Sequence, residues 1–197
     1  MRPFRILSLV IAVIGLTGCG AHYVLDKYID QSQIVSSNNP GAIKAYVGEY
    51  RFQDGPGAKI RVAEGEISLW NRKALKDAFG EVAFVDSKKN ADITIETHKV
   101  ELANTAGCGL KPCSRFYISV NNEPITLIVR HPNEFLSSVS ERVFLNYMLA
   151  YTKLFTTVLR DVMTDGVKNN AKMPSEVMAD MELKDGIFTN LSKVEKR

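Results

Sequence analysis

The sequence predicts an α+β domain in which a mixed β-sheet is packed by an amphipathic helix and a long carboxy-terminal helix. Three observations predict this class. Short runs of alternating apolar and polar residues recur between residues 43 and 130, one segment of helical periodicity interrupts them, and a long apolar segment follows residue 132. With 197 residues, 45% of them hydrophobic and 24% charged, the chain has a globular composition. We assign the domain to residues 42–165.

The first half of this domain is predicted to contain two strands and a helix. Ile43–Phe52 is predicted as a strand because aromatic residues recur there at even spacing. A second, short strand is expected around Lys59–Val62. Ile67–Phe79 has the apolar spacing of an amphipathic helix, and Gly80 follows it as a stop. The single tryptophan, Trp70, lies on the apolar stripe, so we interpret it as a core residue.

Three further strand segments follow the helix. Val82–Val85 is the first, and Ala91–Leu102 is the second. The apolar residues of the second segment change parity, which a β-bulge near Thr97–His98 would explain. Phe116–Arg130 is predicted as a hairpin because two alternating runs flank the turn residues Asn121-Asn122-Glu123.

The long helix is predicted to begin after Pro132, with Asn133 or Ser138 as its cap, and to extend to about Thr164. Its middle part, Val143–Leu159, contains a single charge and carries apolar residues on more than one face. Residues 166–197 are polar. We expect them to form a tail with at most a short helix around residues 175–183.

Two explanations account for the apolar excess of this helix. The sheet can cover one side while the amino-terminal segment or the other helix covers the other. Alternatively, the helix presents a surface to a partner, to a second copy of the chain, or to a bound ligand. The residues expected to form such a surface are Phe144, Met148, Tyr151 and Phe155.

The amino terminus has the layout of a secretory signal. Met1–Arg5 is positively charged, and Ile6–Gly15 is apolar but too short to span a hydrocarbon core of about 30 Å. The next four residues, Leu16-Thr17-Gly18-Cys19, resemble the lipobox of bacterial lipoproteins. This resemblance implies that residues 1–18 are removed and that Cys19 is lipidated. The alternative is an ordinary signal peptide that is cut elsewhere.

The same resemblance implies a location. In the enterobacterial-type sorting rule, an aspartate after the lipidated cysteine retains a lipoprotein in the inner membrane, whereas this chain has Gly20 there. The rule therefore implies the periplasmic face of the outer membrane, in a Gram-negative host. Residues 19–41, rich in Gln, Ser and Asn, are predicted to be the lipidated cysteine and its tether.

The two remaining cysteines, Cys108 and Cys113, fit an oxidising compartment. They flank Gly109 and Pro112, which favour a turn, and we predict a disulfide between them. A redox pair and a metal pair are the alternatives. The spacing differs from Cys-x-x-Cys, and no second Cys or His pair supplies further zinc ligands.

Charge and motifs indicate which function classes to set aside. There are 25 basic and 22 acidic residues, and loss of the signal segment leaves 23 basic residues and a net charge of +1. We expect no nucleic-acid binding from this balance. His22, His98 and His131 lack the spacing of metal ligands, and no hydrolase or phosphate-binding motif occurs. We therefore expect no metal, no cofactor and no enzymatic activity.

Part of the chain resembles a domain family. The segments Val47–Gly55, Ala74–Phe79 and Val85–Ile93 are similar to the TolB amino-terminal-like domains of several outer-membrane lipoproteins. This resemblance implies a non-enzymatic accessory or assembly subunit of a cell-envelope complex, with an envelope protein as partner or with self-association. The alternative function is the binding of a lipid or small amphipathic ligand between the sheet and the long helix.

Overall fold

The computed structural model describes residues 21–23, 25–50, 60–62, 66–104, 108–134, 136, 140–169 and 173–197. Within them the strands are β1 (Ala21–Tyr23), β2 (Ile43–Val47), β3 (Ile60–Val62), β4 (Val82–Phe84), β5 (Ile93–Asn104), β6 (Cys113–Val120), β7 (Glu123–Arg130), β8 (Glu176–Lys184) and β9 (Ile187–Lys196). The α-helices are α1 (Glu66–Phe79) and α2 (Glu141–Asn169). The architecture is therefore α+β, as predicted.

Seven strands form one mixed sheet in the order β4-β2-β5-β6-β7-β8-β9. Strand β2 pairs in parallel with β4 and β5, and β7 pairs in parallel with β8. The remaining neighbours, β5-β6, β6-β7 and β8-β9, are antiparallel. Strands β1 and β3 pair in parallel with each other in a separate small sheet. Both kinds of pairing occur in the main sheet, which confirms that it is mixed.

Helix α1 confirms the prediction for residues 67–79. It ends at Phe79, and Gly80 follows with φ +75°, the left-handed conformation that glycine adopts most easily. The amide of Gly80 donates to the carbonyl of Lys76. Trp70 is fully buried within the hydrophobic core, so its interpretation as a core residue is confirmed.

The bulge and the hairpin are also where the sequence predicts them. The register of β5 against β6 shifts between Thr97 and Lys99, which turns Val100 towards the core again. The β6-β7 turn contains Asn121 and Asn122, both with positive φ, as a type I′ turn requires. Local side-chain alternation and turn chemistry were sufficient to predict both features.

The prediction of a polar carboxy-terminal tail with at most a short helix is wrong. Residues 176–196 form the hairpin β8-β9, and β8 lies beside β7 inside the sheet. The long helix is accordingly not carboxy-terminal, and the domain extends beyond residue 165. Strand β9 is an edge strand with mostly exposed side chains, so its composition resembles that of a tail.

The prediction of a tether is wrong from residue 21 onward, because Ala21–Tyr23 already form β1, which pairs with β3. Leu25, Ile29 and Ile34 are buried in the core, and two short 3-10 turns carry them there. Polar residues between these three positions made the segment look like a linker. Its apolar residues are too sparse for a regular pattern, but the core covers each of them.

Helix α2 begins at Glu141, where the carbonyl of Ser140 accepts from the amide of Phe144. Asn133 lies eight residues earlier and does not cap the helix. The other predicted cap, Ser138, lies outside the described residues, as does Phe52 of the predicted first strand. None of the helices in the described part of the chain is long and apolar enough to cross a membrane.

Candidate functional site

Both helices pack against the same face of the sheet. The ring of Tyr151 in α2 stacks on Phe116 of β6 at 4.0 Å between centroids. Asn71 of α1 donates a hydrogen bond to Thr97 of β5. Thr97 pairs with Ile118 of β6, which lies on the same face of the sheet as Phe116, so α1 contacts this face too. No described helix covers the opposite face. We call that surface the polar sheet face and define it by Glu101, Arg115, Tyr117, Arg130 and Asp180.

One half of the polar sheet face is built around the carboxylate of Asp180. Asp180 in β8 and Arg130 in β7 are cross-strand partners, and Arg130 Nε lies 2.5 Å from Asp180 Oδ1. Lys111 Nζ lies 3.4 Å from Oδ2, and Lys193 Nζ lies 4.0 Å from it. The Asp180 side chain is only 8% exposed, so these cations compensate a carboxylate that has lost most of its water.

The backbone explains how the two lysines reach Asp180. Lys111 lies in the loop that the Cys108–Cys113 disulfide closes, with 6.2 Å between the two Cα atoms. Lys193 has φ +48° and lies where the β8-β9 register shifts between Met178 and Asp180. The predicted disulfide is thus confirmed, and it holds a charged loop over the end of the sheet.

The other half of the polar sheet face is built around Glu101. Lys99 Nζ lies 2.6 Å from Glu101 Oε1, while Arg115 and Tyr117 donate to Oε2 at 3.4 and 3.3 Å. The hydrogen bond from Lys99 is the main cause that lowers the pKa of Glu101 below its usual value. Arg115 also lies 3.2 Å from Cys108 Sγ, so it joins this cluster to the disulfide loop.

The two clusters together carry more positive than negative charge. Their cations are Lys99, Lys111, Arg115, Arg130 and Lys193, and their carboxylates are Glu101 and Asp180. Between them lies Ile128, which is on the same face as Arg115 and is nevertheless only 4% exposed. Long cationic side chains cover apolar area with their stems in this way. The arrangement suits a carboxylate-bearing partner better than a cationic one.

The four residues predicted to form a partner or ligand surface lie elsewhere. Phe144, Met148, Tyr151 and Phe155 are all fully buried, on the side of α2 that faces the sheet. They belong to the core and form no exposed docking surface, so that prediction is wrong and the explanation by burial is confirmed. Cover comes from the sheet on one side and from α1 on the other, where Thr156 donates to the carbonyl of Ala74.

A groove of about 390 Å³ lies on the opposite side of α2. Its lining residues are Lys73, Asp77, Leu149, Thr152, Lys153, Thr156, Arg160 and Phe188. Thr152 and Thr156 form its floor, with their hydroxyl groups engaged by backbone carbonyls. Lys73 is paired with Asp77 at 2.8 Å.

The histidines occupy separate places in the fold. His98 lies 2.7 Å from the hydroxyl of Ser119, and His131 is buried with its ring 6.0 Å from that of Tyr147. His22 belongs to β1, and its side chain is not among those described. In the described part of the chain, no three His, Cys, Asp or Glu residues are grouped so that they could hold a metal ion. Cys19 lies outside the described residues.

No protein-family model, no curated protein and no solved structure matches the chain. Its function is therefore inferred from its own residues.

Sequence reasoning missed the cluster around Asp180 because half of it belongs to the misjudged tail. A signal was present, since Val177, Ala179 and Met181 alternate as the buried positions of a strand do. Such a strand places Asp180 on the opposite face. Its pairing with Arg130 depends on the parallel register of β7 and β8, which no local pattern contains.

Proposed function

We propose that this chain is a lipoprotein anchored through Cys19 to the periplasmic face of the outer membrane. In this proposal it acts as a non-enzymatic accessory or assembly subunit of a cell-envelope complex. The lipobox-like residues 16–19 support the anchor, and the Cys108–Cys113 disulfide fits an oxidising compartment. The polar sheet face is the surface through which the domain binds an acidic region of its protein partner.

The observation that carries this proposal is the charge distribution of the polar sheet face. Towards the disulfide loop five cations share two carboxylates, and further along the same face Glu176 and Glu195 are paired with Arg197. Complementary charge of this kind steers a partner into one orientation and rejects partners of like charge. The clusters fit binding better than proton transfer, because the lowered pKa of Glu101 lies further from neutral pH, whereas a general acid or base works best with a pKa close to it.

A pair of charge reversals tests the proposal. Lys99 and Lys193 are the most exposed cations of the two clusters on the polar sheet face, so Lys99→Glu with Lys193→Glu reverses the charge of the clusters with little effect on the core. Lys89→Glu is the control, because Lys89 is exposed in the short 3-10 turn before β5 and belongs neither to the two clusters nor to the groove beside α2. Each lipidated form is cross-linked in intact cells, and the partners are identified after capture from solubilised membranes.

We expect the unmodified protein and the Lys89→Glu control to recover the same envelope protein, and the double variant to lose it. Recovery of that protein by all three forms would contradict binding through the polar sheet face. Recovery of the chain alone in every form would contradict the accessory function itself.

The alternative function is binding of a small amphipathic ligand. Packed side chains such as Phe116 and Tyr151 fill the predicted place between the sheet and α2, so it is the groove beside α2 that supports this alternative. Its volume of about 390 Å³ is within the range of ligand pockets, and it combines apolar Leu149 and Phe188 with basic Lys153 and Arg160. Native mass spectrometry of the domain tests this alternative. A co-purified lipid that is lost from Phe188→Asp would support it over the accessory function.

A further inference from the structure

The domain begins very close to the proposed anchor. Leu25 is fully buried in the core, and it follows Cys19 by only six residues. Whatever their conformation, six residues span at most about 21 Å, because a fully extended chain advances no more than about 3.5 Å per residue. Leu25, the first described residue of the core, therefore lies within that distance of Cys19. This step rests on the proposed function, which requires Cys19 to be lipidated.

The amino-terminal segment leads to one particular end of the domain. Tyr28 and Lys27 both contact the carboxylate of Glu141, the first residue of α2, at 2.6 and 2.7 Å. Asn146, in the second turn of α2, donates to the carbonyl of Gly186 in the β8-β9 turn. The start of the domain, the start of α2 and the β8-β9 turn are thus neighbours.

This end coincides with one end of the sheet. Strand β8 runs parallel to β7, so the β8-β9 turn lies beyond Arg130, the last residue of β7. Cys113, the first residue of β6, pairs with Arg130, so the disulfide loop is at the same end. We call it the anchor end. The Asn121-Asn122 turn lies at the far end, about 26 Å away along the eight residues of β7.

Exposed apolar side chains are concentrated at the anchor end. Among the described residues, five large hydrophobic side chains are markedly exposed, and three of them belong to this end. They are Tyr28, Leu110 and Ile187, exposed by 46%, 69% and 49%. Leu110 is in the disulfide loop, and Ile187 follows the β8-β9 turn. Tyrosine and aliphatic residues of this kind partition favourably into the interfacial region of a bilayer.

We propose that the anchor end of this domain rests on the lipid headgroups of the membrane that carries the anchor, with Tyr28, Leu110 and Ile187 in contact with the interface. The short chain between Cys19 and Leu25 holds it there, and the exposed apolar side chains set its orientation. The polar sheet face then stands roughly upright from the membrane. A partner therefore meets the polar sheet face close to the membrane surface, since the tether cannot carry the domain further.

Site-specific fluorescence quenching tests this orientation on the full, lipidated chain. Ile187→Cys places a thiol at the anchor end, and Glu123→Cys places one at the far end, on a residue that is also exposed at the start of a strand. Each is the only free thiol, because in the proposed lipoprotein the Cys19 thiol carries the diacylglyceryl group and the other two cysteines form the disulfide. The labelled proteins are reconstituted into vesicles of phosphatidylethanolamine and phosphatidylglycerol that contain a nitroxide-headgroup phosphatidylcholine.

We expect the label at position 187 to be quenched several-fold more strongly than the label at position 123. A third label, at Lys27→Cys, should be quenched as strongly as the label at position 187, because Lys27 contacts Glu141 at the anchor end. Equal quenching at both ends, or stronger quenching at position 123, overturns the orientation. The acylation state of the same preparations separates the two proposals, since absence of an acyl chain on Cys19 removes the proposed anchor itself.

Discussion

Tyr151 of α2 donates its hydroxyl hydrogen bond to the side-chain carbonyl of Asn71 in α1, and both side chains are fully buried. Asn71 in turn donates to Thr97 at the bulge of β5. This chain of polar contacts joins the two helices to the sheet inside an otherwise apolar core. Tyr147, one turn earlier in α2, is equally buried, but its hydroxyl has no hydrogen-bond partner among the described residues.

This pair of tyrosines provides a matched test of the core. Tyr151→Phe leaves the buried carbonyl of Asn71 without its donor and should lower the free energy of unfolding by about 1–3 kcal/mol. Tyr147→Phe removes a hydroxyl that is already unpaired and should be neutral or slightly stabilising. Urea unfolding measures both. Equal losses in the two variants would show that the hydrogen bond to Asn71 is not the cause.

Removal of the Asp180 carboxylate should lower the free energy of unfolding far more than removal of Lys193, the most distant of its three cationic neighbours. Asp180→Ala leaves the largely buried Arg130 guanidinium without its counter-charge, and we expect a loss of about 3 kcal/mol in the free energy of unfolding. Lys193 is exposed and 4.0 Å away, so Lys193→Ala should change this energy by no more than about 0.5 kcal/mol. Chemical denaturation compares them. A small effect of Asp180→Ala would mean that solvent already compensates Arg130.

Burial of His131 predicts a loss of stability in mild acid. Desolvation lowers the pKa of His131 in the folded protein, and its Nδ1 accepts a hydrogen bond from the amide of Asn133. The unfolded chain therefore binds the proton more readily. The contribution of neutral His131 to the free energy of unfolding is fully present above its unfolded pKa of about 6.5. It decreases as the pH falls from there towards the lower pKa of His131 in the folded protein.

His131→Gln should remove this part of the pH dependence, because glutamine does not titrate. The measurement is the free energy of unfolding of both proteins between pH 5 and pH 8. The difference between the two curves isolates His131 from the carboxylates that titrate at lower pH. Parallel curves across this range would refute the prediction.

Two serine substitutions distinguish the proposed role of Cys19 as the anchor from the role of Cys108 in the disulfide. Cys19→Ser should block acylation and cleavage after residue 18, so that an unlabelled precursor of higher mass accumulates in cells fed a fatty-acid analogue. Cys108→Ser should leave acylation intact and lower stability by about 2 kcal/mol, as expected for a short closed loop. Normal acyl labelling of the Cys19→Ser protein would contradict the localisation.

Features that depend on neighbouring residues could be predicted from the sequence alone. Helix α1 with its Gly80 stop, the β6-β7 hairpin with its asparagine turn, the bulge after Thr97 and the disulfide were all predicted correctly. Each rests on side-chain periodicity, on backbone preferences at one or two residues, or on a separation of a few residues. The conformational preferences behind these features depend on residues close together in the sequence, so a local sequence pattern is sufficient to predict them.

What covers each apolar side chain depends on contacts between segments that are distant along the chain. The stripe through Phe144 and Tyr151 has the same pattern whether it packs in a core or docks a partner, and the choice depends on a sheet formed by distant residues. Leu25 and strand β9 were misjudged for the same reason. Leu25 is an isolated apolar residue without periodicity, and it is ordered because distant parts of the chain bury it. Strand β9 is polar and lies at the edge of the sheet, and it is ordered because it pairs with β8.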